Sequence, residues 1–218
     1  MLFQIKSYLK FLWESKHEHA VHSPFVFNLL TKCFYDRKKK PEYVILKKYR
    51  KSLLENKNTI EVTDFGAGSK IFKSNTRQIS KIAKTAGITL RRAELLFRIV
   101  QYFQPKHILE IGTSLGLATS ALSLGNKNTK IITLEGCQNT MSVAQNLLKK
   151  INSNNIEFKV AEFDTYLKNS NLKSQIFDLI YFDGNHQKQA TLDYFESLLP
   201  TITNDTVWIF DDIHWSKE

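Results

Sequence analysis

The order of apolar and polar positions divides the chain near residue 106. Before it, apolar residues return at intervals near 3.6, the period of a helix with one buried face. Residues 2–15 form one such segment, its apolar positions broken by Lys6, Lys10 and Glu14. "HSPFVFNLLTKCF" starts a second, with Ser23 placed as N-cap and Pro24 at the first helical position. "KKKPEYVILKKYRKSLLEN" starts a third at Pro41, and the stretch 59–70 follows it. A basic segment, "SNTRQISKIAKTAG", ends at Gly87, and "TLRRAELLFRIVQYFQP" is predicted as a strong helix closed by Pro105.

From residue 107 short apolar runs alternate with amphipathic segments. Strands are predicted at 107–111, 130–135, 156–161, 177–183 and 205–212. Helices are predicted in "LGLATSALSLG", in "QNTMSVAQNLLKKI", briefly near 165–172, and in "KQATLDYFESLLP", which Pro200 ends. Strands alternating with helices imply an α/β chain with a doubly wound parallel sheet, and right-handed crossovers fix its hand. The expected organisation is an N-terminal helical layer over 1–87 and a Rossmann-like domain over 88–218.

Composition changes this picture in two ways. With 218 residues and 42% hydrophobic content the chain can bury a sizeable core. No apolar run spans a bilayer, and the charged N-terminal segment reads as an amphipathic helix rather than a signal peptide. Cys33 and Cys137 stand in dissimilar contexts, which implies no disulfide framework and makes a reducing cytoplasm the expected compartment. Charge is uneven: residues 1–106 carry 22 Lys and Arg against 8 Asp and Glu, whereas 107–218 carry 9 against 13. The basic half is either a solvated helical surface or a face for an anionic partner such as nucleic acid.

Two stretches look like turns that cradle a nucleotide, "VTDFGAGSK" (62–70) and "ILEIGTSLG" (108–116). Such a loop needs a strand to deliver it, glycines that let the backbone approach the ligand, and a helix that begins at once. An acid at the tip of the next strand should then bind the ribose. The second stretch meets each requirement: strand 107–111, Gly112 and Gly116, an alanine-rich helix, and Glu135 ending "KIITLE". The first lacks the following strand and acid, so Gly66 and Gly68 read as turn residues of the N-terminal layer. They could cap the cofactor or acceptor if Asp64 lies near the second loop.

With these motifs placed, "ILEIGTSLG…ITLEG…FDLIYFDGNH…WIFDDIHW" resembles the class I S-adenosylmethionine-dependent methyltransferases over about residues 88–214. It is most similar to the small O-methyltransferases of the catechol and caffeoyl-CoA type, and to bacterial homologues with an N-terminal "HSPF" element. The resemblance implies S-adenosylmethionine as cofactor and strand order 3-2-1-4-5. The family's last two strands, an antiparallel hairpin, are absent from this sequence. That leaves an exposed edge at the fifth strand, for a partner chain (a homodimer) or the N-terminal helices to cover.

The resemblance also assigns residues. Glu110 is expected near the methionine amino group, and Gly112, Thr113, Ser114 and Gly116 along the methionine end. Glu135 should accept from both ribose hydroxyls, and Phe163 either lies against adenine or belongs to the core. Ala118 replaces a serine common in related enzymes, so Thr113 or Thr119 is expected to bind the cofactor carboxylate in its place. Asp183, Asp211 and Asp212 should converge on one rim and could hold Mg²⁺ or another divalent cation, although the family has Asn where this chain has Asp212. His186 stands where catechol-type enzymes carry a catalytic lysine. It is the expected base, with Asp183 beside it in the catalytic set and His214 as a second candidate. "HEHAVH", with His17, His19 and His22, matches no zinc spacing. The expected activity is O-methylation of a small-molecule acceptor. A methyltransferase acting on RNA or another anionic substrate, and a non-catalytic scaffold of the same fold, are the alternatives.

Overall fold

The computed structural model describes residues 2–15, 18–20, 22–65, 68, 72–168 and 172–213. The N-terminal layer opens with helices α1 (Leu2–Glu14), α2 (Pro24–Leu29) and α3 (Pro41–Glu55). Ser23 caps α2 as expected: its hydroxyl accepts from the Val26 amide at 3.3 Å, and Pro24 occupies the first turn. The periodic run beyond α2 does not stay α-helical, because residues Leu30–Phe34 widen into a π-helical turn.

The stretch after α3, in which Gly66 and Gly68 read as turn residues, is bracketed by a small ribbon. Strands β1 (Thr59–Glu61) and β2 (Thr76–Gln78) pair antiparallel, Thr59 opposite Gln78. Just after β1, Phe65 lies against Gly136. The basic segment that follows supplies β2 and then helix α4 (Ile79–Thr85). Helix α5 (Leu90–Phe103) starts at Thr89, whose hydroxyl accepts from the Arg92 amide at 3.3 Å, and stops at Gln104 in the left-handed conformation before Pro105.

The second half is doubly wound as predicted. Its elements are β3 (His107–Ile111), α6 (Leu117–Gly125), β4 (Lys130–Glu135), α7 (Gln138–Lys150), β5 (Ile156–Val160), α8 (Phe163–Leu167), β6 (Leu179–Phe182), α9 (Lys188–Leu198) and β7 (Val207–Phe210). All five strands are parallel in the order β5-β4-β3-β6-β7, which is the expected 3-2-1-4-5. The short helix predicted near 165–172 forms earlier, over α8, with a 3-10 turn at Leu172–Ser174.

Two cores sandwich this sheet. Ile108, Ile131, Leu179 and Tyr181 share one cluster with residues of α3, α4, α5, α6 and α7. Leu109, Ile111, Leu134, Ile180 and Phe182 share the other with Leu167, Tyr194 and Leu198. Apolar residues are therefore needed on both faces of the central strands, which explains their near-continuous apolar runs. The first cluster runs unbroken from the N-terminal layer, at Leu46, Tyr49 and Leu53, to Leu122 in α6. Helix α6 is buried at every position, and a Cβ at Gly125 would come within 2.6 Å of Val100, so small residues here let α6 press against α5. Among the described residues β7 pairs only with β6, and its four side chains are half-buried. No described helix is long and apolar enough to cross a membrane.

Candidate active site

A cavity of about 550 Å³ opens where β3, β4, β6 and β7 end. In an open α/β sheet this rim, at the reversal of strand order, is where ligands bind. Gly112 and Ser114 follow β3, Glu135 and Gly136 end β4, Asp183 to His186 follow β6, and Asp211 and Asp212 follow β7. The opposite wall comes from the N-terminal layer: Asp64, Phe65 and Gly68 between the ribbon strands, Phe72 and Arg77, and Arg92 of α5. The two glycine-containing stretches thus face one another across a single cavity. Gly66 lies outside the described residues.

The 112–116 loop is fixed by steric exclusion and main-chain bonds. Gly112 has φ +103°, and a Cβ there would fall 2.1 Å from the Asp183 carbonyl oxygen. The amides of Gly112 and Thr113 both donate to Leu134 O at 3.0 Å. Gly116 has φ +80°, and a Cβ would meet the Tyr49 hydroxyl at 2.6 Å. Ser114, at φ +48°, donates its amide to Glu135 Oε2 at 2.8 Å, and Cys137 donates to Oε1 at 3.0 Å. The Glu135 carboxylate is thereby oriented in the cavity wall. Burial pushes its pKa upward, the main-chain donors at Cys137, Ser114 and Gly136 oppose the rise, and the Asp64 carboxylate adds to it.

Three of the residues expected at the cofactor stand behind this wall rather than lining the cavity. Gly116 packs under Tyr49 and Ala144. The Thr113 hydroxyl lies 2.5 Å from that of Thr133 and 3.1 Å from Leu134 O. Glu110 is fully buried, and its Oε2 accepts from the hydroxyls of Thr119 and Thr133, each at 2.6 Å. Burial lifts its pKa to about 7, against the pull of those two hydroxyls. Its Oε1 is buried without a hydrogen-bond partner among the described residues. The hydroxyls of Thr113 and Thr119, one of which is expected to stand in for the serine that Ala118 replaces, are both bonded within the protein.

The far end of the cavity brings together Asp183, His186, Asp211 and Asp212, as the strand tips required. Phe163 lines it as well, packed on Gly184, where a Cβ would come within 2.6 Å of its ring, and edge-on to Tyr194 at 6.1 Å. Tyr181, buried beneath the rim on β6, sends its hydroxyl to Asp183 Oδ2 at 3.2 Å and Asp211 Oδ2 at 3.1 Å. Burial raises the Asp183 pKa well above the carboxylate range, and the Asp211, Glu110 and Asp212 charges raise it further. Arg92 places Nη1 3.1 Å from Asp211 Oδ1 and 3.6 Å from Asp212 Oδ1. Ser114, Asn185, His186 and Asp212 line the cavity with positive φ, at +48°, +66°, +44° and +53°. Such backbone costs about 1–3 kcal/mol per residue and persists where the surroundings enforce it.

This arrangement does not fit the expected divalent cation. Among the described residues no three His, Cys, Asp or Glu side chains are grouped so as to hold a metal ion. Asp183 Oδ2 and both oxygens of Asp211 lie within reach of the Tyr181 hydroxyl or the Arg92 guanidinium. His17 and His214 lie outside the described residues.

Sequence reasoning missed Arg92, Tyr181, Asn185 and Phe65. Asn185 donates to the Tyr194 hydroxyl at 2.9 Å, while its Oδ1 is buried without a partner among the described residues. Phe65 covers Gly136, where a Cβ would lie 2.7 Å from its ring. The available signal was Gly136 itself, a glycine just past the acid-tipped strand, where close approach by another element is one of the reasons for a glycine.

Known proteins bear on the same region. Residues 109–213 match a family model described as a methyltransferase domain. Among curated proteins no sequence matches. Solved structures of similar fold include the S-adenosylhomocysteine-bound methyltransferase PaMTH1 of Podospora anserina, at 16% identity and TM-score 0.56, covering 88% of this chain and 71% of that one. An O-methyltransferase of Bacillus cereus in complex with S-adenosylhomocysteine matches at 19% identity and TM-score 0.56, covering 85% and 71%. The O-methyltransferase TomG of Streptomyces achromogenes, in complex with S-adenosylmethionine, matches at 15% identity and TM-score 0.51, covering 80% and 66%. At these identities the likeness is one of fold. Residues 109–213 thus match a methyltransferase domain, and the chain shares its fold with S-adenosylhomocysteine- and S-adenosylmethionine-bound methyltransferases.

Proposed function

We propose that this chain methylates an oxygen of a small-molecule acceptor, with S-adenosylmethionine as donor. The observation that carries the reading is the Glu135 carboxylate, held at a strand tip by the Ser114 and Cys137 amides and facing the same cavity as the Gly112 loop. A ribose diol needs such a two-oxygen acceptor. A volume of about 550 Å³ is within the range of pockets that enclose small ligands.

In this reading Gly112 and Ser114 border the methionine end, and Phe163 offers a ring face to adenine. Glu110, the acid that the resemblance assigns to the ammonium group, stands behind the wall with Oε1 unpartnered among the described residues, and in this reading it acts on the methionine end from beneath the loop. Bound S-adenosylmethionine supplies an electrophilic methyl group on a sulfonium, with a neutral thioether as leaving group. The chain's own part is alignment and proton removal. His186, turned into the cavity wall by its left-handed backbone, takes the acceptor hydroxyl's proton. Asp183, whose pKa burial raises and which bonds the Tyr181 hydroxyl, serves as a hydrogen-bonding wall. The ribbon segment that carries Asp64 and Phe65 caps the nucleoside.

Transfer of a labelled methyl group from S-adenosylmethionine to a panel of small hydroxylated acceptors tests this. Label recovered as a methyl ether or ester, and abolished in His186→Ala, is the expected result. Label incorporated only into nucleic acid, or none from an otherwise cofactor-binding protein, would contradict it.

A further inference from the structure

Two of the three carboxylates at the ends of β6 and β7, Asp211 and Asp212, already have a cation of the chain itself beside them. A hard divalent ion collects six or more oxygen ligands, and carboxylates that serve it must present open oxygens. Here Oδ2 of Asp183 and Oδ2 of Asp211 share one partner, the Tyr181 hydroxyl, at 3.2 and 3.1 Å. That hydroxyl is held in place: the Tyr181 side chain is 2% exposed and fixed in the core below the rim. The remaining oxygen of Asp211, Oδ1, accepts from the Asp212 amide at 2.9 Å and lies 3.1 Å from Arg92 Nη1. The same Nη1 is 3.4 Å from Asp211 Oδ2 and 3.6 Å from Asp212 Oδ1. Both oxygens of Asp211 are therefore taken.

We infer that Arg92 is the resident cation of this rim: its guanidinium, with the Tyr181 hydroxyl, stands where a divalent metal would otherwise bind, and the site works without one. The inference rests on reading this cavity as the methyl-transfer site. Arginine suits the part because its charge is permanent and its donors are set in a rigid fork. Its contacts with the rim acids all use Nη1, which leaves Nε and Nη2 as donors among the described residues on a side chain that borders the cavity. They are suited to an acceptor oxygen, which makes Arg92 a positioning residue for the acceptor. The placement is built into α5, since the N-cap bond from Thr89 closes on the amide of Arg92 itself.

Manganese(II) binding to the full chain, followed by paramagnetic resonance, tests the inference without knowledge of the acceptor. The wild-type protein should leave the free-ion signal unchanged. Arg92→Ala should bind one ion at least about tenfold more tightly than wild type, because a positive charge no longer opposes it. Arg92→Lys should behave as wild type. Stoichiometric binding by wild type that Asp211→Asn removes would overturn the inference, as would an Arg92→Ala protein that binds no more tightly than wild type. Titration of the same samples with S-adenosylhomocysteine separates the two readings. Failure of the wild type to bind it counts against the methyl-transfer assignment, whereas retained binding shows that an altered ion response belongs to the rim.

Discussion

The loop at 112–116 and the ribbon segment around Gly68 have similar sequences and border the same cavity, yet they are built in opposite ways. Around Gly112 the chain closes completely, with a carbonyl oxygen 2.1 Å from where a Cβ would stand. Around Gly68, at φ +73°, no atom of the described residues lies within 4 Å of that point. The first glycine is required by sterics, the second only by its backbone angle. A cofactor loop is thus marked by what surrounds its glycines more than by their spacing, and a cap can carry the same letters without the same constraint.

The largest effect should come from breaking the enclosed loop. Gly112→Ala forces the strand tips of β3 and β6 apart and should cost about 3 kcal/mol or more in urea denaturation, in the range of severe backbone and overpacking changes. Gly68→Ala, strained only in φ, should cost about 1 kcal/mol. Equal losses would erase the distinction between the loops.

The wall behind the loop should make stability fall as pH rises. Glu110 titrates near pH 7 in the fold against 4.5 when unperturbed, so the folded chain binds the extra proton in between. Its stabilising contribution is fully present below about pH 4.5 and disappears as pH rises through about 7. The difference is worth about 3 kcal/mol, and Asp183, also raised, adds in the same sense. Glu110→Gln should flatten this slope and be more stable than wild type at pH 8, as measured by denaturation at about pH 4.5, 6 and 8. An unchanged slope would mean that Glu110 is not the group responsible.

Smaller effects should distinguish the two acids. Asp64, paired with Arg77 at 3.2 Å in a partly exposed bridge, belongs to the cap. Asp64→Ala should leave S-adenosylhomocysteine affinity within about threefold of wild type, since such pairs contribute about 1 kcal/mol or less. In the proposed reading this segment caps the nucleoside, so turnover should fall more than affinity.

How much of this was legible follows from the range of each interaction. Strand order, the 112–116 loop and Glu135 were readable because each is written in consecutive residues: an apolar run, a turn, a helix, an acid at a strand tip. The ribbon was not, because Thr59–Glu61 and Thr76–Gln78 are three-residue strands with no fully buried position, too short for alternation to show. The Arg92–Asp211 pair joins residues 119 positions apart, and no local pattern announces it. The acids of the rim were visible, whereas the groups beside them were not, which is why the sequence suggested a metal where the described residues group no ligand set. Thr113 and Thr119 illustrate the same limit: the sequence places them beside the cofactor loop, but their hydroxyls turn to Thr133, Leu134 and Glu110.

The central claim is that the nucleoside of the cofactor is held by Glu135 at the enclosed loop. Calorimetric titration of S-adenosylhomocysteine into wild type and Glu135→Ala measures this directly. Wild type should bind one equivalent, and the variant should bind about a hundredfold more weakly, the scale of hydrogen bonds to a charged group. No binding by the wild type, or equal binding by both proteins, would contradict the account.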